Sequence, residues 1–378
     1  MDGTGSAIAT MPPMSSGSQR IGILTGGGDC PGLNAVIRAV TKHFLRCGVE
    51  IIGIEDGFLG LIEGRYRPLH YDDVSSILAV GGTILGSSNK ANPRHFATAT
   101  DEQGQPIWAD VTEQCLGHVE KARLDGLVVI GGDGTLACAM PFVEAGIPCI
   151  GIPKTIDNDV VGTDVSFGYS TAVQVVSDAI DRLRTTADSH HRTLVVEVMG
   201  RNAGWIALQG GLSGGADVIL IPERPFTVSK VIDKIERRRL RGRRSTIVVV
   251  SEGARPRGGG QMVRAVDPTS PDPIKYGGIA AWIADEIGMH STVEARNVVL
   301  GHLQRGGTPV AFDRVLATRF GNHAAKLWES GVRNRMVAIQ GDKMVDVALD
   351  ESAGKQRLVP AKHELIDAAR AVWTDFGD

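Results

Sequence analysis

The chain has 378 residues, 40 Lys and Arg against 43 Asp and Glu for a formal net charge of −3, and 42% hydrophobic but only 5% aromatic residues. That length gives room for two domains with mainly aliphatic cores. The charge balance argues against a nucleic-acid binder, and no apolar stretch reaches the roughly 20 residues that a membrane-spanning helix needs. The five cysteines, Cys30, Cys47, Cys115, Cys138 and Cys149, show no metal-ligand spacing and argue against a disulfide scaffold, so a reducing, cytoplasmic setting fits best.

Residues 1–19 lack the charged start and apolar middle of a signal peptide and read as a flexible tail. From Arg20 onward, strand, Gly-rich or polar loop and helix alternate, which predicts an α/β protein built on doubly wound, mainly parallel sheets. Residues 21–25 open the first sheet. The loop 26–32 leads into a helix through about Leu45, then a strand over 49–54. Glycines at such a junction let backbone N–H groups approach a phosphate at the helix N-terminus, although a tight turn accounts for them nearly as well. Residues 66–110 read as irregular.

Two apolar runs, 127–130 and 148–152, read as buried parallel strands. They end in Gly131-Gly132-Asp133-Gly134-Thr135 and Pro153-Lys154-Thr155-Ile156-Asp157-Asn158-Asp159. Ligands gather beyond the carboxyl ends of parallel strands, so both loops are expected to face one site. Asp133 suits water-mediated binding of Mg²⁺ and equally suits a helix N-cap. Gly134 leaves space where any side chain would intrude. The second loop offers a base, a second carboxylate and a cation, the groups that phosphoryl transfer requires.

A helix is expected from Thr171 to about Thr185, and a second sheet from the strand 193–199, which ends in Gly200-Arg201-Asn202-Ala203-Gly204. Further strands are read at 218–221, 246–250 and 297–300, with helices from near Val228 and over 277–287. The arginine-rich run 237–244 closes the helix from Val228, where cations complement the helix dipole. The stretch 254–276 reads as an exposed loop. Arg192, Arg201, Arg296 and Arg305, with His302, stand at the edges of apolar strands in comparable topological positions. Guanidinium groups fork onto phosphate oxygens, so together they point to a phosphorylated substrate. Glu252, also at a strand end, suits sugar hydroxyls or a structural ion pair.

The motifs Gly-Gly-Asp-Gly-Thr, Pro-Lys-Thr-Ile-Asp-Asn-Asp, Met199-Gly200-Arg201 and Gly301-His302-Leu303-Gln304-Arg305-Gly306-Gly307, in this order, resemble those of the 6-phosphofructokinases over residues 20 to about 329. The resemblance implies two such sheet domains with the active site in the cleft between them. Residues 20–167 plus about 303–353 would bind the donor, and 168–302 plus about 354–378 the sugar phosphate. It implies transfer of phosphate to the 1-hydroxyl of fructose 6-phosphate, the committed step of glycolysis. Asp157 would be the base, with Thr155, Asp159 and Arg201 as catalytic partners and Asp133 as the Mg²⁺ carboxylate. Gly28, Asn89, Lys90, Gly134 and Thr135 would line the donor. Ile156, Met199, Gly200, Glu252, His302, Leu303, Gln304 and Arg305 would surround the sugar phosphate. Arg192 and Arg296 would reach it from a neighbouring subunit of a homo-oligomer, a dimer or tetramer.

Pyrophosphate-using members resemble one another in carrying Asp at the position of Gly134 and Lys at that of Lys154, so here the first loop has the ATP form and the second the pyrophosphate form. ATP is the expected donor, since a carboxylate at 134 would repel a nucleotide's α-phosphate. Many bacterial ATP users have an arginine where this chain has Asn89, with Lys90 the candidate substitute. A pyrophosphate-dependent phosphotransferase is the alternative reading. A catalytically silent regulatory paralogue is a further one, disfavoured by the retained Asp133, Asp157 and Asp159.

Overall fold

The computed structural model describes residues 19–270 and 273–378; of the expected tail, all but Gln19 lies outside the described residues. The first part of the chain forms β1 (Arg20–Thr25), α1 (Leu33–Arg46), β2 (Glu50–Ile54), α2 (Phe58–Glu63), β3 (Tyr66–Leu69), β4 (Phe96–Thr100), β5 (Pro106–Ala109), α3 (Thr112–Lys121), β6 (Gly126–Gly131), α4 (Asp133–Glu144) and β7 (Cys149–Pro153). Next come α5 (Tyr169–His190), β8 (Thr193–Val198), α6 (Trp205–Ser213), β9 (Val218–Leu220), α7 (Val228–Leu240), β10 (Thr246–Ser251), β11 (Val263–Val266), β12 (Ile274–Tyr276), α8 (Ile279–His290) and β13 (Ala295–Val299). The chain ends with α9 (Ala311–Glu329), β14 (Arg335–Gln340), β15 (Lys343–Ala348), α10 (Leu349–Ser352) and α11 (Glu364–Ala371).

Seven strands form the larger sheet in the order β15-β14-β7-β6-β1-β2-β3. Its inner strands β14, β7, β6, β1 and β2 are parallel, while β3 and β15 pair antiparallel at the two edges. The second sheet, β13-β8-β10-β9, is wholly parallel. Strands β6, β7, β8 and β10 are buried at every residue, which is why they read as mainly apolar runs rather than alternating ones, β8 being interrupted by the buried Glu197. After β13 the chain returns to the larger sheet as β14 and β15, and then reaches back so that Asp375 bridges to Val218 of β9.

Helices α1 and α9 pack closely beneath the larger sheet. Gly321 in α9 permits this approach, because a Cβ there would meet the Val36 carbonyl oxygen at 3.0 Å and the Ala39 Cβ at 2.8 Å. Two expectations need correcting. The region 66–110 is not all irregular, since it contains the edge strand β3 and the hairpin β4–β5; the stretch 254–276 is not all loop, since β11 and β12 form an antiparallel ribbon. Both escaped notice because their residues are largely exposed and lack a buried apolar run. Helix α5 continues past Thr185, with Ala187 buried, and stops where His191 turns to φ 55°.

Candidate active site

The carboxyl ends of β1, β6 and β7 lie side by side, so the loops they lead into share one edge of the sheet. Backbone bonds tie the loops together: Gly26 N–H donates to the Ile130 carbonyl at 2.9 Å, and Lys154 N–H to the Gly131 carbonyl at 2.9 Å. Thr135 is wedged between two of them. A Cβ at Gly131 would lie 2.2 Å from Thr135 Cβ, and one at Gly26 would lie 2.5 Å from Thr135 Cγ2, so both glycines are required by packing. Gly134 differs, since a Cβ there would meet nothing within 4 Å.

Asp133 is the first residue of α4, with Gly132 at the cap position and no side-chain cap bond, so the N-cap reading of Asp133 is corrected. Its carboxylate sits in the helix's first turn and is free for another role. Burial pushes its pKa up, against opposing effects from the Gly134 N–H, Arg201 and Lys154.

In the second loop Thr155 Oγ1 accepts from Asp157 N–H at 3.1 Å, and Asn158 holds the turn at φ 54° with its Oδ1 accepting from Ser166 N–H at 3.0 Å. Asp157 Oδ1 is buried with no hydrogen-bond partner. Burial pushes the Asp157 pKa up, Arg305, Lys154 and Arg201 pull it back, and Asp133 adds repulsion. Asp159 is 6% exposed; burial and then the charges of Asp157 and Asp133 raise its pKa to about 7. Three carboxylates thus press on one another beside three cations. Ile156 is fully buried and anchors the loop to the core.

The second sheet contributes from the ends of β8, β10 and β13. Arg201 adopts φ 40°, and its carbonyl oxygen would be 1.6 Å from a Cβ at Gly253, so glycine at 253 is what allows the turn. Arg201 N–H donates to Glu252 Oε1 at 3.3 Å, and its guanidinium lies 5.7 Å from the centre of the Tyr276 ring. Burial, followed by the charge on Asp157, raises Glu252 to about 7. Arg305 crosses to the first sheet: its Nη1 donates to the Asp29 carbonyl at 3.1 Å, and a Cβ at Gly28 would meet that nitrogen at 2.6 Å. Lys154, 3% exposed, donates through Nζ to the Gly28 carbonyl, and burial lowers its pKa.

Most of the expected residues therefore converge, and four placements differ from the sequence reading. Arg192 and Arg296 stand at the amino ends of β8 and β13, opposite the carboxyl ends that carry Arg201 and Arg305, so the four arginines are not in comparable positions. Both pair with Glu294, at 2.7 and 2.5 Å. Gln304 is fully buried; its Oε1 accepts from Met199 N–H at 3.3 Å and its Nε2 donates to the Gly301 carbonyl at 3.0 Å, so it braces the loop from beneath. Lys90 pairs with Asp267 and Thr269, at 2.9 and 2.8 Å, while Asn89 is exposed. His302 and Leu303 are exposed on a short 3₁₀ turn after β13.

Two site residues escaped the sequence reading. Gln356 Nε2 donates to Asp159 Oδ2 at 3.1 Å, and Arg357 N–H donates to the Asp159 carbonyl at 2.6 Å. They lie almost 200 positions along the chain with no motif around them, so only the fold brings them in. Among the described residues, no helix is long and apolar enough to cross a membrane.

Comparison with known proteins agrees with this geometry. The family profile described as Phosphofructokinase matches residues 20–328. The chain is 47% identical to "ATP-dependent 6-phosphofructokinase 2" of Clostridium perfringens, over 95% of this chain and 99% of that protein. It is 50% identical to "Pyrophosphate--fructose 6-phosphate 1-phosphotransferase" of Amycolatopsis methanolica, over 90% of this chain and 96% of that one. Among solved structures, the T-state phosphofructokinase of Pichia pastoris superposes with a TM-score of 0.73 at 32% identity, over 96% of this chain; this chain spans 38% of that longer one. With the matched profile covering the whole smaller sheet, five of the seven strands of the larger one and the loops that meet between them, the chain belongs to the phosphofructokinase family.

Proposed function

We propose that this chain is an ATP-dependent 6-phosphofructokinase, transferring the terminal phosphoryl group of ATP to the 1-hydroxyl of fructose 6-phosphate. The observation that carries the reading is Asp157, a buried carboxylate with an unpartnered oxygen and with Lys154, Arg201 and Arg305 as its nearest influential cations. An ionised Asp157 takes the hydroxyl proton as the oxygen attacks. Its raised pKa brings it closer to working pH, where a general base is most effective. Arg201 and Arg305 meet the charge on the phosphates, and Thr155 Oγ1 fixes the loop through the Asp157 N–H. Asp133 suits Mg²⁺, because a cation there relieves the mutual repulsion of Asp133, Asp157 and Asp159. When bound, Mg²⁺ supplies charge neutralisation at the donor phosphates.

ATP is favoured as donor by the open space at Gly134 and by the name of the Clostridium perfringens relative. Pyrophosphate is the second reading, favoured by Lys154 lying against the Gly28 carbonyl and by the name of the Amycolatopsis methanolica relative. The sequence-based partition, 20–167 plus about 303–353 for the donor and 168–302 plus about 354–378 for the sugar phosphate, fits the return of β14 and β15 to the larger sheet. A homo-oligomer is supported by Arg192 and Arg296 standing at the far end of the second sheet, on or beside the largely exposed edge strand β13, a template for a further chain. Assay of one preparation with fructose 6-phosphate and each donor tests the function. Fructose 1,6-bisphosphate should form faster with ATP; faster formation with pyrophosphate reverses the donor, and none with either refutes the activity.

A further inference from the structure

Away from the cleft, the C-terminal ends of α1 and α9 bring together three metal-ligating groups of different chemistry. Cys47 Sγ lies 2.6 Å from Glu329 Oε1, and His43 Nε2 lies 3.1 Å from Glu329 Oε2. The three ligand atoms fall within 4.8 Å of one another. His43 and Cys47 are four positions apart, one helical turn, so both face α9.

The orientation of His43 is what separates this cluster from an ordinary polar contact. Its Nδ1 is 2.9 Å from Asn322 Oδ1. An amide oxygen only accepts, so Nδ1 carries a hydrogen and Nε2 is the ring atom turned toward Glu329. Nε2 is buried and faces the Glu329 carboxylate. A proton on Nε2 joins the two atoms as an ion pair, and a metal cation in the proton's place can bind both of them. An amide that fixes the imidazole tautomer from behind is the usual support for a metal-bound histidine.

We infer that His43, Cys47 and Glu329 form a binding site for a thiophilic divalent cation of the Zn²⁺ class, fastening α1 to α9. Sulfur and imidazole select such an ion over Mg²⁺, which takes oxygen ligands. Tetrahedral coordination with bonds of about 2.0–2.3 Å sets ligand atoms about 3.3–3.5 Å apart, so the sulfur must recede from Glu329 by somewhat under 1 Å. Binding releases the Cys47 thiol proton to solvent, and the sulfur–carboxylate hydrogen bond is replaced by two metal bonds. Burial and the hydrogen bond to Glu329 raise the Cys47 pKa, and the adjacent Arg46 opposes them. The partly exposed rim leaves a fourth position for water.

Full-length protein, stripped with a chelator and returned to excess Mg²⁺ to occupy oxygen-only sites, is titrated with Zn²⁺ by calorimetry and with Co²⁺ by absorbance. One Zn²⁺ per chain is expected, and the Co²⁺ form should show a thiolate charge-transfer band. Cys47→Ser should abolish the band, whereas Cys138→Ser should retain it. Asn322→Ala should weaken Zn²⁺ binding about 10- to 100-fold. Absence of the band in the wild-type protein, or equal Zn²⁺ affinity in Cys47→Ser, overturns the site and leaves His43 and Glu329 as a simple ion pair.

Discussion

Replacing Asp159 with asparagine tests the electrostatic account of the cleft more directly than removing the base. Asp159 is 6% exposed, and burial, with the charges of Asp157 and Asp133, carries its pKa from 3.8 to about 7. The folded protein therefore holds the Asp159 proton more tightly than the unfolded chain does. Below about pH 4 the group is protonated in both states and costs nothing; between about pH 4 and 7 the cost of keeping it buried grows with pH, and above about 7 it levels off. The shift spans roughly three pK units, an upper bound of about 4 kcal/mol at pH 8, with about a third of that already present at pH 5. The substituted side chain would keep the shape, and its amide oxygen can still accept from Gln356 Nε2, which now bonds Asp159 Oδ2 at 3.1 Å. Metal-free Asp159→Asn protein should thus melt higher than wild type by about 5 °C near pH 8, and by much less near pH 5. Thermal unfolding in chelator across that range measures it. A difference that does not change with pH, or one that grows toward acid, refutes the reasoning.

Asp157→Asn should lower kcat at least about a hundredfold with ATP, the scale of a positioned base, and a near-normal rate removes Asp157 from that role. Because the Asp157 pKa is raised and the base must be ionised, wild-type activity should fall as pH drops through that raised value; Asp159→Asn should move this acid limb to lower pH. Gly134→Asp, at a position where a Cβ meets nothing within 4 Å, should leave the melting temperature within about 1 °C of wild type. It should reduce kcat/KM for ATP far more than for pyrophosphate, and equal losses would show that residue 134 does not discriminate donors.

The parallel strands were legible because burial on both faces writes them as mainly apolar runs, and each loop chemistry sits directly after such a run. The edge strand β3 and the ribbon β11–β12 left no comparable trace, since exposed strands take whatever residues solvent allows. Asp133, Asp157 and Arg201 could be picked out because strand order alone brings carboxyl ends together. Gln356 could not, because its place beside Asp159 depends on how the last segment crosses back between the sheets. Arg192 and Arg296 show the opposite failure: they come at the start of their strands and so stand at the amino ends, yet strand-edge position alone groups them with Arg201 and Arg305, which follow theirs, and the two ends of a parallel sheet face different surroundings.

The contrast between neighbouring glycines in the first loop bears on how this protein can change over time. At Gly131 any side chain collides with Thr135, so substitutions there are removed by misfolding whatever the substrate. At Gly134 neither packing nor backbone conformation stands in the way. The residue proposed to select the donor is thus among the least constrained by the architecture around it. On the proposed role of residue 134, one substitution there would change the phosphoryl donor while the scaffold stays unaltered.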